Sequence, residues 1–405
     1  MPVAIKTNSG GGSVTLDSGT GTIDTTLTLP NANGTVLYSD LTGNVAIASA
    51  NISGNLVVTG TISMGSSFKR NRIINGNMVI DQRNAGANVT PATGDYTLDR
   101  WTARLTQASK FSVQQNAGSV TPPAGFSNYL GVTSLSSYSV GATDYFAIQQ
   151  VIEGYNIADL GWGLTSPQPA TLSFWVRSSL TGTFSGSLLN NAGTANYLYT
   201  YSIPAANTWT YINVSIPASS ISGTFTSTTN GFGINCYWSL GAGSSVSGST
   251  TGSWNSSLYR SVTGATSVVG TSGATFYITG VQLEVGTKAT PYEFVTYSDQ
   301  LAQCQRYYQK QFSNGSRWLP MMYQESLYLY GVIPLQVYMR TGPTVTIPST
   351  STWDIWGVGT PTAVSADSST PERAVLKFTK SGLTNYYAYI LSGNGASYVE
   401  FSAEL

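Results

Sequence analysis

Segments in which apolar and polar residues alternate recur between residues 68 and 297, and this pattern limits the folds open to the chain. In residues 172–177 (LSFWVR), apolar side chains alternate with Ser173, Trp175 and Arg177, and residues 210–216 (TYINVSI) place Ile and Val on one face. A period of two is typical of a β-strand with one buried face. Turns rich in Gly and Ser separate many such strands. The sequence therefore predicts an all-β fold that contains a jelly-roll β-sandwich.

The composition agrees with an all-β chain whose solubility depends on hydroxyl and amide groups. Only 9% of the residues are charged, whereas 41% are hydrophobic and 12% are aromatic. The abundant Ser, Thr and Asn favour turns and strands over helix interiors, and Tyr and Thr suit a half-buried pleated surface. The apolar content is sufficient for packed cores, which argues against a disordered chain.

The titratable residues exclude several classes of function. The chain has 18 basic residues, 18 acidic residues and no His. Without imidazole there is no Ser-His-Asp triad and no His-ligated zinc site, and balanced charge argues against binding to nucleic acid. Cys236 and Cys304 are too few for a disulfide framework, so we expect both to be buried thiols. No cofactor is expected.

The sequence predicts neither a membrane span nor an export signal. No segment approaches the roughly 18 uninterrupted apolar residues of a membrane-spanning helix. Residues 1–6 (MPVAIK) lead into Gly and Ser rather than into an apolar signal core. We therefore expect synthesis in a cytoplasm without a signal peptide and no insertion into a membrane.

Residues 1–66 lack the apolar material for a core of their own. Tyr38 is the only aromatic residue, and short predicted strands around residues 27–29 and 52–63 are separated by Gly, Ser, Thr and Asn. A segment with so little apolar surface needs partner chains for a stable fold. We expect it to intertwine with copies of itself, and a flexible linker is the alternative.

Two further regions follow this segment. Residues 67–297 carry the aromatic, alternating strands of the predicted jelly roll, and the Gly-, Ser- and Thr-rich stretch 241–273 predicts long surface loops. Residues 298–405 begin with a helix and return to strands, with several prolines at strand edges. This pattern predicts a short helix followed by a smaller C-terminal β domain.

The helix has recognisable start and stop signals. Ser298 and Asp299 favour its N-terminus, and Cys304 lies on its apolar face. The pattern runs to about Gln311 and ends before the Asn-Gly pair at residues 314–315, which suits a left-handed helix end.

Several motifs resemble a jelly-roll module that is common in bacteriophage tail fibre and receptor-binding proteins. The module's opening resembles residues 75–83 (NGNMVIDQR) and 94–101 (GDYTLDRW). Its ending resembles residues 276–286 (FYITGVQLEVG), 289–294 (ATPYEF), the helix motif 303–308 (QCQRYY) and the final FSAEL. These motifs occur in the order of the family and bracket about residues 70–310.

The resemblance implies structural roles for the opening motif rather than contacts with a ligand. The residues concerned are Asn75, Gly76, Asp99, Arg100 and Trp101. We expect the Trp to anchor the core and the charged groups to pair with neighbours, because the motif recurs as framework in modules that have different ligands.

The module also resembles carbohydrate-binding jelly rolls, which often hold a structural calcium ion beside an acidic pair on the closing strand. Here Thr279 and Gly280 occupy the position of that pair. Calcium requires several oxygen ligands, carboxylates foremost. No metal site is therefore predicted, and Asp81 or Glu284 with backbone carbonyls would be the remaining ligands for calcium.

The N-terminal segment carries a second resemblance. Residues 54–61 (GNLVVTGT) resemble the short repeats of trimeric phage fibre shafts. This implies a homotrimer in the virion, with residues 1–66 attached to another virion protein and the C-terminal domains facing the host.

Binding to a sugar requires aromatic faces for the pyranose ring and amides or carboxylates for its hydroxyls, and this chemistry selects the candidate site residues. Aromatic residues in loops rich in Gly, Ser, Thr or Pro have little structural reason to be there, so we expect them to be exposed, with burial under the loop as the alternative. Three tyrosines share one face of a strand and predict either a binding platform or a contact between copies. The candidates are Trp254, Tyr259, Trp353, Asp354, Trp356, Tyr197, Tyr199 and Tyr201.

These observations predict a non-catalytic virion fibre subunit that attaches to a polysaccharide or lipopolysaccharide of the host surface. One alternative is a structural or head-decorating fibre without a receptor pocket. Another is a polysaccharide-degrading tailspike, which would need two convergent carboxylates. The spacing of Asp144, Glu153, Asp159 and Asp354 singles out no pair, and no repeat indicates a β-helix.

Overall fold

The computed structural model divides the chain into two units, Met1–Ser63 and Met64–Leu405. In the first unit, β1 (Val3–Lys6) pairs antiparallel with β2 (Ser13–Leu16). The strands predicted around residues 27–29 and 52–63 lie outside the described residues. The structure describes residues 3–6, 13–16 and 69–405 except 191, 219–224, 226–228, 313–316, 326, 349–351, 385–386 and 394–396.

Residues 69–297 form a jelly-roll β-sandwich, as the alternating pattern predicts. Short 3-10 turns at Ala117–Ser119, Gly154–Asn156, Ala158–Leu160 and Ser244–Val246 lie between its strands. The strands are β3 (Tyr96–Leu98), β4 (Trp101–Leu105), β5 (Phe111–Gln115), β6 (Leu130–Ser134), β7 (Tyr145–Glu153), β8 (Ala170–Ser178), β9 (Gly182–Asn190), β10 (Asn196–Ile203), β11 (Thr210–Ile216), β12 (Phe232–Ala242), β13 (Ser247–Gly248), β14 (Trp254–Asn255), β15 (Ser261–Val262) and β16 (Thr275–Val285).

Two sheets enclose the core of the sandwich. One has the order β14-β10-β9-β12-β7-β4-β3, and the other has the order β11-β8-β16-β6-β5. The inner faces meet through large aromatic residues: the rings of Trp101 and Trp238 are 5.3 Å apart, and Phe174 approaches Trp238 edge-on at 5.8 Å. Because strand side chains alternate between faces, this packing also fixes which residues of β8 and β11 point outward.

The helix α1 (Tyr297–Gln305) is shorter than the sequence predicts, and its N-cap is Thr296 instead of Ser298 or Asp299. Thr296 Oγ1 accepts a hydrogen bond from the backbone N–H of Asp299 at 3.3 Å. The chain leaves the helix before Gln311 because residues 308–312 pair with the last strand of the protein. Among the described residues, no helix has the length and hydropathy needed to cross a bilayer.

Strands after α1 build two further sheets, one of three strands (β17-β25-β20) and one of six (β21-β24-β18-β19-β23-β22). Their apolar faces share a core that includes Leu329, Leu376, Phe378 and Phe401. The strands are β17 (Tyr308–Phe312), β18 (Arg317–Glu325), β19 (Tyr328–Pro334), β20 (Thr344–Thr346), β21 (Trp353–Ile355), β22 (Ala363–Thr370), β23 (Arg373–Thr379), β24 (Ala388–Gly393) and β25 (Tyr398–Ser402).

A buried ion cluster (Arg83, Asp99, Arg100, Glu404) ties the end of the chain to the sandwich. The Glu404 carboxylate forms ion pairs with Arg100 and with Arg83, the latter at 2.8 Å. Arg100 also donates to the Val151 carbonyl at 2.6 Å, and its side chain is only 1% exposed. Asp99 and Arg100 of the opening motif therefore hold the protein together and do not face solvent.

Asp99 gives this cluster a pH dependence. Its carboxylate accepts hydrogen bonds from the Gln82 backbone at 2.6 Å and from Gln82 Nε2 at 2.7 Å. Burial nevertheless raises the pKa of Asp99 from 3.8 to about 7, against the opposing effect of Arg83. The folded protein therefore binds a proton that the unfolded chain releases above about pH 4, so this group stabilises the fold most in acid and its contribution is lost as the pH rises through about 7.

We expect Asp99→Asn to flatten the dependence of stability on pH, because the amide does not titrate. The wild-type protein should lose on the order of a few kcal/mol from this group between about pH 4 and pH 8, and the variant should not. Urea unfolding of both proteins across this range measures the difference. Parallel pH profiles for the two proteins would contradict the assignment.

Candidate functional site

Tyr197, Tyr199 and Tyr201 do share one face of β10, but that face is the core of the sandwich. All three side chains are buried. The hydroxyl of Tyr199 donates to the Tyr237 carbonyl at 2.7 Å, and that of Tyr197 donates to the Ser215 carbonyl at 3.0 Å. The two interpretations that the sequence left open for these tyrosines, a binding platform and a contact between copies, are therefore both wrong, because the side chains lie on the inward face of the strand.

Trp254 and Trp353 are 8% and 1% exposed, so exposure is wrong for both and the alternative, burial under the loop, is correct. Trp254 forms the edge strand β14 and packs against Trp162 and Phe225, with ring centroids 5.7 and 5.2 Å away. Trp353 begins β21, where it joins the core of the six-stranded sheet. Both loops carry short strands, and pairing turns their tryptophans inward.

The other candidates differ in exposure. Tyr259 is half-buried, and its carbonyl accepts a hydrogen bond from Asn196 Nδ2 at 3.0 Å. Asp354 is half-buried in β21, whereas Trp356 is 57% exposed in the following turn. Of the eight residues chosen from the sequence, Trp356 alone presents a largely exposed aromatic side chain.

The outer face of the five-stranded sheet carries an aromatic surface that the sequence analysis did not select. Trp175 on β8 and Tyr211 on β11 are direct cross-strand partners, and their ring centroids lie 5.2 Å apart. Phe174 and Ile212 point the other way, toward the core. Trp175 is half-buried and Tyr211 is 41% exposed, so part of this pair is accessible to solvent.

Phe126, Tyr292 and Phe294 extend this surface across the sheet. Their rings lie 4.9–5.2 Å from one another, and Phe294 is 56% exposed. We call the five residues Tyr211, Trp175, Phe126, Tyr292 and Phe294 the aromatic stripe.

Gly280 on β16 lets the two halves of the stripe approach each other. A Cβ atom at Gly280 would lie 2.6 Å from Phe126 and 3.2 Å from Trp175, so both rings sit over the glycine. Its φ of 62° is also in the left-handed region that favours glycine. Thr279 and Gly280 occupy the position of the acidic pair found in calcium-binding jelly rolls. In this protein the glycine makes room for two aromatic side chains instead.

Polar groups flank the aromatic stripe. Asn213 lies two residues beyond Tyr211 on the same face of β11 and is exposed. Ser127 and Asn128 follow Phe126, and a cleft of about 160 Å³ beside the stripe is lined by Phe126, Phe294 and Gln300 among others. Exposed rings bordered by amides and hydroxyls match the two surfaces of a sugar, its apolar ring face and its hydroxyls.

Glu153 and Asp144, two of the four carboxylates considered for hydrolysis, are engaged in hydrogen bonds with neighbouring side chains. Burial raises the pKa of Glu153, but hydrogen bonds from Arg306 and Tyr307 outweigh this effect and hold it below its usual value. A hydrogen bond from Tyr138 lowers the pKa of Asp144, and Thr106 adds to the effect. Neither group has the raised pKa of a general acid. Among the described residues, no group of acidic or Cys side chains has the arrangement of a metal site.

Comparison with known proteins finds loose similarities of fold. No protein-family model matches the chain, and no curated protein matches its sequence. One similar solved structure is the enzymatically active domain of tailspike protein 4 of bacteriophage CBA120 (13% identity, 54% of this chain and 22% of that chain, TM-score 0.28). Others are TmCBM61 in complex with β-1,4-galactotriose (10%, 54% and 99%, 0.27) and the family 11 carbohydrate-binding module of a Clostridium thermocellum cellulosomal cellulase (13%, 51% and 99%, 0.27). At these values the similarity assigns no residue a role.

The sequence alone indicates the outward position of two residues of the aromatic stripe. The alternation of residues 172–177 puts Trp175 on the polar face of its strand, and residues 210–216 do the same for Tyr211. A tryptophan on a polar face is the feature that could have identified the site. Phe126 and Phe294 carried no such signal, since they lie in loops that only the fold brings together.

Proposed function

We propose that this chain is a carbohydrate-binding, non-catalytic subunit of a virion fibre, and that the aromatic stripe contacts a glycan of the host surface. The observation that carries the proposal is the Trp175–Tyr211 pair, a partly exposed aromatic pair on the outer face of the five-stranded sheet. Rings on strands are held more precisely than rings on loops, which favours repeated stacking of sugar units.

Assignment to a virion fibre is supported by the order of the motifs between residues 75 and 308, which resemble tail fibre modules. As a homotrimer attached to the particle through residues 1–66, the fibre would present three stripes to one cell surface. Linked weak sites raise the overall avidity without any new contact, so each stripe needs only modest affinity.

Tyr211→Ala tests the proposal with little risk to the fold, because Tyr211 lies on an edge strand. We expect binding on a glycan array and adsorption to host cells to weaken about threefold to tenfold, because the variant loses one stacked ring at the end of the stripe. Tyr338→Ala is the matched control, since Tyr338 is also an exposed tyrosine (61%) and lies outside the stripe. Equal binding by both variants and the wild type would reject the stripe as the glycan site.

Two assays on the purified wild-type protein distinguish the proposed function from the alternatives. A structural or decorating fibre would bind no glycan on the array. A polysaccharide-degrading tailspike would release new reducing ends from host polysaccharide, whereas a non-catalytic binding protein leaves the polymer intact.

A further inference from the structure

A second concave site lies beside α1, at the end of the sandwich where residues 69–74 enter the fold. It is a cavity of about 530 Å³, within the roughly 300–1,000 Å³ typical of ligand pockets. The segment after β7 contributes Tyr155 and Asn156, and α1 contributes Gln300 and Gln303. Tyr155 is 61% exposed, so the cavity has an open aromatic side chain among amides.

Two of these amides are available to a ligand. Within the described part of the chain, the side chain of Asn156 makes no hydrogen bond, and Gln303 accepts one long bond, from Gln300 Nε2 at 3.5 Å. By contrast, both polar atoms of the Asn71 amide, which also lines the cavity, form hydrogen bonds with the backbone. Its Nδ2 donates to a carbonyl of β16, and its Oδ1 accepts from backbone N–H groups of β16 and of residue 73. Unused amides in a concave site are suited to the hydroxyl groups of a sugar.

The charges around the cavity balance. Arg306 is held by Glu153 through two hydrogen bonds, at 2.5 and 3.0 Å, and Arg72 pairs with Asp159. Such a site has no excess charge to attract an anion and favours a neutral ligand. The charged groups that line the cavity are three cations, Lys69, Arg72 and Arg306, and two carboxylates, Asp159 and Glu293. Glu153, which lies outside the lining, supplies the third negative charge through its ion pair with Arg306.

The cavity and the aromatic stripe share lining residues. Tyr292 belongs to the stripe and also lines the cavity. The small cleft beside Phe126 and Phe294 shares Val295 and Gln300 with the cavity. The two sites are therefore neighbours, and a linear ligand that contacts both would run beside α1.

We propose that the cavity is a second sugar subsite, which holds one end of a neutral oligosaccharide whose other units lie on the aromatic stripe. This inference rests on the proposed function and adds to it the ligand class: a neutral glycan chain of several units, in place of a single sugar or an acidic polymer. It also assigns binding roles to Asn156 and Gln303, which lie outside the residues selected from the sequence.

Gln303→Ala tests the subsite, because alanine keeps α1 helical and removes one free amide. The probes are the neutral glucan, galactan and mannan series, each as disaccharide and hexasaccharide, with affinities from isothermal titration calorimetry. For the series that binds, we expect the wild type to prefer the hexasaccharide and Gln303→Ala to weaken hexasaccharide binding about tenfold, the effect of losing a hydrogen bond. Disaccharide binding on the stripe should change little.

Gln305→Ala is the matched control, because Gln305 lies on the same helix but bonds to Gln336 and does not line the cavity. If Gln303→Ala and Asn156→Ala bind the hexasaccharide as the wild type does, while Trp175→Ala does not, the subsite is overturned and the proposed function stands. Binding of acidic but not neutral oligosaccharides would overturn the ligand class. If the wild type binds no glycan, the proposed function fails and this inference fails with it.

Discussion

Replacing Glu404 with alanine lowers the free energy of unfolding by about 3–5 kcal/mol, the usual cost of removing one partner from a buried ion pair. Glu404 is the carboxylate that both Arg83 and Arg100 bind, and Arg100 is almost completely buried. Its guanidinium stacks on Tyr307 at 3.6 Å and cannot reach solvent without breaking that contact. The variant therefore leaves a buried cation without its counter-charge.

Asp159→Ala is the control for this experiment. Asp159 also pairs with a buried arginine, Arg72, but the Asp159 side chain is 55% exposed and the pair lies at the surface, so its removal should cost less than the removal of Glu404. Urea unfolding followed by tryptophan fluorescence compares the three proteins. The free energy of unfolding of Glu404→Gln, which keeps a hydrogen-bond acceptor, should lie between those of the wild type and Glu404→Ala. This variant replaces Glu404→Ala in the comparison if the alanine variant does not fold. Equal losses for Glu404→Ala and Asp159→Ala would contradict the role of the ion cluster.

Replacing Trp175 with alanine weakens glycan binding by at least about thirtyfold, or roughly 2 kcal/mol, the threshold of an interface hot spot. Trp175 lies in the middle of the aromatic stripe, between Tyr211 and Phe126. Its loss removes the largest stacking surface and also the ring against which Tyr211 packs. The effect should exceed that of Tyr211→Ala, because Trp175 has the larger ring and Tyr211 also loses the ring it packs against.

Trp356→Ala provides the comparison for Trp175→Ala. Trp356 is the exposed aromatic residue that the loop composition selected, and it lies next to β21 in the six-stranded sheet. We expect this variant to bind the glycan as the wild type does. Thermal unfolding of both variants separates lost binding from lost structure. A loss of binding in Trp356→Ala with unchanged binding in Trp175→Ala would move the site to the C-terminal sheets.

The fold class could be predicted from the sequence because strand periodicity is a local property. Residues 210–216 were identified from the alternation of Ile and Val, and β11 has these same bounds. The helix was predicted too long because Tyr307 and Tyr308 fit a helical face equally well by spacing. Pairing of β17 with β25 decides their conformation, and that contact joins residues distant in sequence.

The site was less accessible to sequence reasoning, for a physical reason. Periodicity shows that Tyr197, Tyr199 and Tyr201 share a face but does not show whether that face is inside. Loop composition does not show whether an aromatic residue is exposed either: Trp254 lies on a short edge strand and packs inward. The alternation around Trp175 does indicate the outer face of the sheet, opposite Phe174, even though Ser173 on that face is itself buried.

A crystal structure of the protein with a bound neutral oligosaccharide tests the central claim most directly. The account predicts a sugar ring packed on Trp175 and Tyr211, with the chain extending past Phe126 toward α1. A sugar bound at the turn of Trp356, or anywhere else with the aromatic stripe left bare, would contradict it.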